Sequence, residues 1–200
     1  MRQILSIMRL IGFICALAVC MNMSAQKISV DRIENDGRHQ IMTSSKDYSI
    51  DGAKYSISMK VYESSYRTDW CLLISSFYYI PSSAEVLLRL GNDELIYLQC
   101  NNVRVGQVTT PGYGIPIGSI TYISPSKEVD YYSSIYELKP SDLDKIEEYG
   151  IKKIRISSGT SYRDKEFSNN TLGKFLKKCR RKIQERLDNP LEKKGLFDDF

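Results

Sequence analysis

Leu172, Phe175, Leu176, Cys179, Ile183 and Leu187 recur at steps of three, one, three, four and four residues. Only an α-helix brings positions so spaced into one line. The line is about four turns long, and a stripe of that length has to be buried. The rest of the chain must therefore supply an apolar surface for it. Asp188-Asn189-Pro190 ends the helix, and residues 189–200 read as a flexible tail.

That surface reads as strand. Residues 54–62 alternate, with Tyr55, Ile57, Met59 and Val61 on one face and Ser56, Ser58, Lys60 and Tyr62 on the other, the pattern of a half-buried strand. Residues 70–78 are apolar on both faces (Cys71, Leu73 and Phe77 against Trp70, Leu72 and Ile74), as expected of a central strand covered on both sides. Residues 27–46 give two short strands around the Asp36-Gly37 turn. Ser82 and Glu85 have capping-box spacing, yet Gly91-Asn92-Asp93 is a turn and Glu94–Cys100 alternates. A hairpin of 84–90 with 94–100 is preferred to a helix. Residues 106–118, with Pro111, Gly112, Gly114, Pro116 and Gly118, read as a loop. Residues 119–123, 130–138 and 153–156 read as strands.

A second helix starts at Pro140. Ser141 is the expected cap, Leu143, Ile146 and Tyr149 make the stripe, and Gly150 stops it with Ile151 placed for a Schellman ending. The expected fold is one α+β domain over 26–188, a mainly antiparallel sheet of about six to eight strands with the C-terminal amphipathic helix packed on one face. A β-sandwich with an appended helix is the alternative.

Residues 1–25 stand apart. Arg2 and Arg9 precede an uncharged run from Leu10 to Met21, and Ser24-Ala25 supplies small residues. This is the layout of a signal peptide, too short to span a bilayer comfortably, with cleavage expected after Ala25. The expected location is the periplasm or the extracellular space. Leu17-Ala18-Val19-Cys20 offers a lipid anchor through Cys20 as an alternative, although Val19 departs from the usual small residue. No transmembrane segment is expected in the mature chain. It would keep Cys71, Cys100 and Cys179, either as buried thiols or with a Cys71–Cys100 disulfide.

Trp70-Cys71-Leu72-Leu73-Ile74-Ser75-Ser76, the hairpin ending Asp93-Glu94-Leu95-Ile96-Tyr97-Leu98, Gly150-Ile151-Lys152-Lys153-Ile154-Arg155-Ile156 and the closing helix follow one another in a characteristic order. In this the chain resembles uncharacterised small exported proteins of Gram-negative anaerobic bacteria, over most of residues 38–187. The resemblance implies export and brings no catalytic residues.

Chemistry is sparse. The one histidine, His39, has no nucleophile pattern near it in sequence and reads as a surface residue at a strand start. Gly112-Tyr113-Gly114 with Gly118 is out of step for a dinucleotide loop, and Gly173-Lys174 lacks the rest of a Walker loop. Asp142, Asp144, Glu147 and Glu148 match no calcium loop. No catalytic residue, metal ligand or cofactor is assigned.

Charge is more informative. The chain carries +4, or +2 without residues 1–25, while residues 171–187 alone carry +6, leaving the remainder at −4. Lys174, Lys177, Lys178, Arg181 and Lys182 are the candidate face for an anionic ligand. Tyr113, Tyr131 and Tyr132, among 14 tyrosines, are the candidate aromatic contacts. The expected function is an exported, non-catalytic binding or interaction domain, its partner an anionic glycan, a lipid surface or another envelope protein, with nucleic acid excluded by export. An envelope-associated structural or accessory protein, lipidated or not, and an enzyme of unrecognised type are the alternatives.

Overall fold

The computed structural model describes residues 26–111, 114–117, 120–123, 125–158 and 161–189. The proposed signal peptide with Cys20, the tail beyond Asn189 and Tyr113 lie outside the described residues.

Strict alternation in the middle of the chain builds the sheet. The strands are β1 (Ile28–Ile33), β2 (His39–Thr43), β3 (Lys46–Ile50), β4 (Ala53–Glu63), β5 (Thr68–Ser76), β6 (Glu85–Leu90), β7 (Leu95–Thr110), β8 (Gly114–Ile117), β9 (Ile120–Ile123) and β10 (Lys127–Leu138). Helix α1 (Pro140–Tyr149), strands β11 (Ile151–Ser158) and β12 (Ser161–Glu166), and helix α2 (Thr171–Asp188) complete the order. Ten strands form one antiparallel sheet in the order β1-β2-β4-β5-β10-β7-β6-β11-β12, with β3 also on β4; β8 and β9 pair apart as a hairpin. Arg163 Nη1 on β12 donates to the Asp51 carbonyl at 3.1 Å and Lys165 Nζ to the Ser49 carbonyl at 2.8 Å, so β12 approaches β3. The inner row includes Ile57, Met59, Leu72, Ile74, Leu88 and Ile154, all 0% exposed. The stripe of α2 completes the same core, packing against β2, β4, β11 and α1. This is the α+β arrangement expected, with ten strands in the main sheet in place of six to eight, and one main sheet under helices replaces the sandwich alternative.

The expected central strand at 70–78 is β5, between β4 and β10 and buried on both faces. Phe77 lies past its end and is exposed. The polar row of β4 is less wet than its alternation suggests. Ser58 and Lys60 are buried, with the Lys60 ammonium 4.2 Å from the Tyr62 ring centroid.

The expected loop at 106–118 is largely strand. β7 stays paired with β10 as far as Thr110 opposite Lys127, and Pro116 sits in β8, in a two-stranded hairpin whose free edges tolerate proline. Ser141 does not cap α1. Lys139 is the N-cap, its N–H donating to Asp142 Oδ2 at 3.2 Å, and Pro140 takes the first helical position, where its fixed φ fits. Gly150 ends α1 at φ +71° and ψ 179°, outside the left-handed helical region, so the chain runs straight into β11 without a Schellman turn.

All three described cysteines are free thiols. Cys71 on β5 and Cys100 on β7 are separated by β10, hence by two interstrand spacings, about 10 Å, beyond disulfide reach. Burial pushes the thiols of Cys71 and Cys179 up to about 11.

Candidate functional site

The apolar stripe of α2 fixes where its charges go. With Leu172, Phe175, Leu176, Cys179 and Ile183 turned into the core, the lysines and arginines between them face outward. Four of these seven cations form ion pairs with neighbours. Arg180 Nη1 lies 2.8 Å from Asp144 Oδ1 and 3.5 Å from Glu147 Oε1, both on α1. Arg181 and Lys182 share Glu185, at 3.6 and 2.7 Å, and Arg186 pairs with Asp31 of β1. Lys174, Lys177 and Lys178 make no ion pair among the described residues.

Two clefts open beside these three lysines. One, of about 660 Å³, is bordered by Lys174, Lys177, Lys178, Arg180 and Arg181, with Glu147 as its one acid. The other, of about 590 Å³, lies toward β2 and β3. Lys174 and Lys178 border it too, together with Lys27 and Lys46. Four of the five residues proposed for an anionic face are thus brought to one cleft. Lys182 is turned to Glu185 and borders neither.

Lys27 and Lys46 were not legible as members of this surface. Each is a single lysine far from α2 in sequence, and only strand pairing carries it there. Ser44 and Ser45 separate β2 from β3, which share one edge of β4. Thr43 bridges the break, its Oγ1 accepting the Met59 N–H at 3.1 Å. The Gln26 amide donates to the Ser44 carbonyl at 2.5 Å and to its hydroxyl at 2.9 Å, fixing the chain start beside the cleft.

Tyr131 and Tyr132, adjacent on β10, point to opposite faces of the sheet. Tyr131 packs edge-on against Phe77 at 5.3 Å and Tyr132 against Tyr79 at 5.4 Å. They form two separate aromatic pairs, one on each face of the sheet.

His39 is less isolated than its sequence context implies. Its Nε2 is 2.6 Å from Asp31 Oδ1 and its Nδ1 3.4 Å from Glu63 Oε2. Partial burial works to raise the Asp31 carboxyl, but hydrogen bonds from His39 and Arg186 outweigh it and hold the group below its ordinary value. The cluster ties β1, β2, β4 and α2 together. No serine, threonine or cysteine hydroxyl or thiol is hydrogen-bonded to His39 among the described residues, and no group of three or more His, Cys, Asp or Glu is placed to hold a metal ion among them. Among them, too, no helix is long and apolar enough to cross a membrane.

Comparison of the chain with protein-family models, with curated proteins and with solved structures gives no match.

Proposed function

We propose that this chain is an exported, non-catalytic binding domain that presents the basic side of α2 to an anionic partner. The observation that carries the reading is the division of charge along α2. Arg180, Arg181, Lys182 and Arg186 are satisfied within the protein, whereas Lys174, Lys177 and Lys178 are contiguous and unpaired among the described residues. Like charges held together without counter-charge raise the local potential and favour an incoming anion. The engagement of His39 by two carboxylates supports a structural role for the one histidine, which leaves the non-catalytic reading favoured over a hydrolase.

The test is retention on an immobilised acidic glycan (heparin) eluted with a salt gradient. Binding through this side weakens as the screening length falls to about 8 Å at physiological ionic strength. The variant Lys174→Gln/Lys177→Gln/Lys178→Gln is expected to elute at clearly lower salt than the parent, with an unchanged far-UV spectrum. Equal elution of the two proteins would remove the basic side as the binding surface.

A further inference from the structure

The cleft toward β2 and β3 differs in kind from the rest of the basic surface. Its walls hold four lysines, Lys27, Lys46, Lys174 and Lys178, and no aspartate or glutamate. None of the four makes an ion pair among the described residues, although most other lysines and arginines described here do; Lys46 has only the Tyr48 ring, 5.5 Å away. These cations come from three separate elements: the chain just before β1, the start of β3 and the N-terminal half of α2. An assembly of like charges from distant segments costs Coulomb energy that nothing in the cleft offsets.

The hydroxyls of Ser44 and Ser45 lie in the same wall and add uncharged donors. Thr171, the first residue of α2, borders the cleft as well. Asn170 turns its side chain to Ile151 and gives α2 no side-chain cap.

We propose that this cleft is a binding site for a phosphate monoester. This rests on the reading of α2 as an anion-binding surface and names the group that is bound. Lysine meets phosphate as a compact point charge with three donors, and the four lysines of this cleft come without an arginine. A phosphate monoester carries a charge of about −1.5 to −2 at neutral pH and three acceptor oxygens, which suits several ammonium groups and hydroxyl donors around one pocket. The chemistry is the same whether the phosphate is a lipid headgroup or a small soluble ester.

The experiment is vesicle co-sedimentation of the chain lacking residues 1–25, with phosphatidic acid (a monoester) against phosphatidylglycerol (a diester) at matched surface charge. Phosphatidic acid is expected to bind at least about tenfold more tightly, a difference of about 1.4 kcal/mol. Lys27→Gln/Lys46→Gln, which leaves α2 untouched, is expected to abolish that preference while keeping the salt-sensitive binding to phosphatidylglycerol. Inorganic phosphate that displaces the protein from phosphatidic acid assigns the site to free phosphate groups; a preference that resists it assigns the site to the lipid headgroup. Equal binding to both lipids overturns the monoester site and leaves the basic side of α2 standing. Loss of binding to both vesicles and to heparin overturns both readings.

Discussion

Asp164 shows what one carboxylate does at the surface of this sheet. Arg155, directly across from it, grips it with two hydrogen bonds of 2.7 and 2.8 Å, and Lys153 adds a contact of 2.7 Å. The Arg155 hydrogen bonds, reinforced by Lys153 and only partly opposed by desolvation, lower the Asp164 carboxyl from 3.8 to about 2. A carboxylate whose value is lower in the folded protein than in the unfolded chain stabilises the fold above the unfolded value. That stabilisation fades as pH falls through the folded one. Asp164→Asn should therefore lower the melting temperature at pH 6, and the gap from the parent should close between about pH 4 and pH 2. A gap that stays constant over that range would show that the ion pair is not its source. Sequence reading places Lys153 and Arg155 on the outer side of their strand, alternating with Ile154 and Ile156. Their partner stays hidden because β12, where Asp164 sits, has little apolar alternation to mark it as a strand.

Between single residues and the whole fold stands the junction of α1, β11 and α2. Asn170 holds a left-handed conformation, φ +50°, and its Oδ1 accepts the N–H of the buried Ile151 at 2.7 Å. Gly150 and Gly173 leave the slot for it: a Cβ on either would come within 2.1 Å of the Asn170 side chain. Gly150 also has positive φ, +71°, so a side chain there is strained as well as obstructed. Asn170→Ala removes the acceptor and leaves the Ile151 N–H unpaired, which should cost about 1–3 kcal/mol in urea unfolding. Asn170→Asp keeps an acceptor and should recover most of the loss, whereas equal losses in both variants would assign the effect to the backbone of Asn170. Sequence reading finds Gly150 as a stop signal because proximity to the helix stripe is enough to recognise it. It cannot find the link from Asn170 to Ile151, since that link joins the start of β11 to the start of α2 through folding alone.

At the scale of the molecule, local signals and distant pairing divide in the same way. The β6–β7 hairpin and both helices are readable because each is specified by a contiguous stretch: Gly91-Asn92-Asp93 between alternating runs, or a stripe with a stop. The placement of β10 between β5 and β7, and of β11 beside β6, depends on segments dozens of residues apart, and no local pattern encodes it. The basic cleft inherits this limit, being readable at Lys174 and Lys178 and hidden at Lys27 and Lys46. What holds these distant strands in one curved sheet is the apolar surface they share with α2. Leu176, 1% exposed, belongs to the one core cluster that also contains Ile41, Met59 and Ile154, from β2, β4 and β11. Leu176→Ala should therefore lower stability by about 2–5 kcal/mol, the cost of a cavity at a fully packed site. A chain ending at Asn170 loses the whole stripe and leaves the inner faces of β2, β4 and β11 open to water. That chain is expected to show no cooperative thermal transition and to bind a dye that reports exposed apolar surface. If it instead melts at the temperature of the parent, α2 is an appendage carrying the basic surface, and the sheet is stable without it.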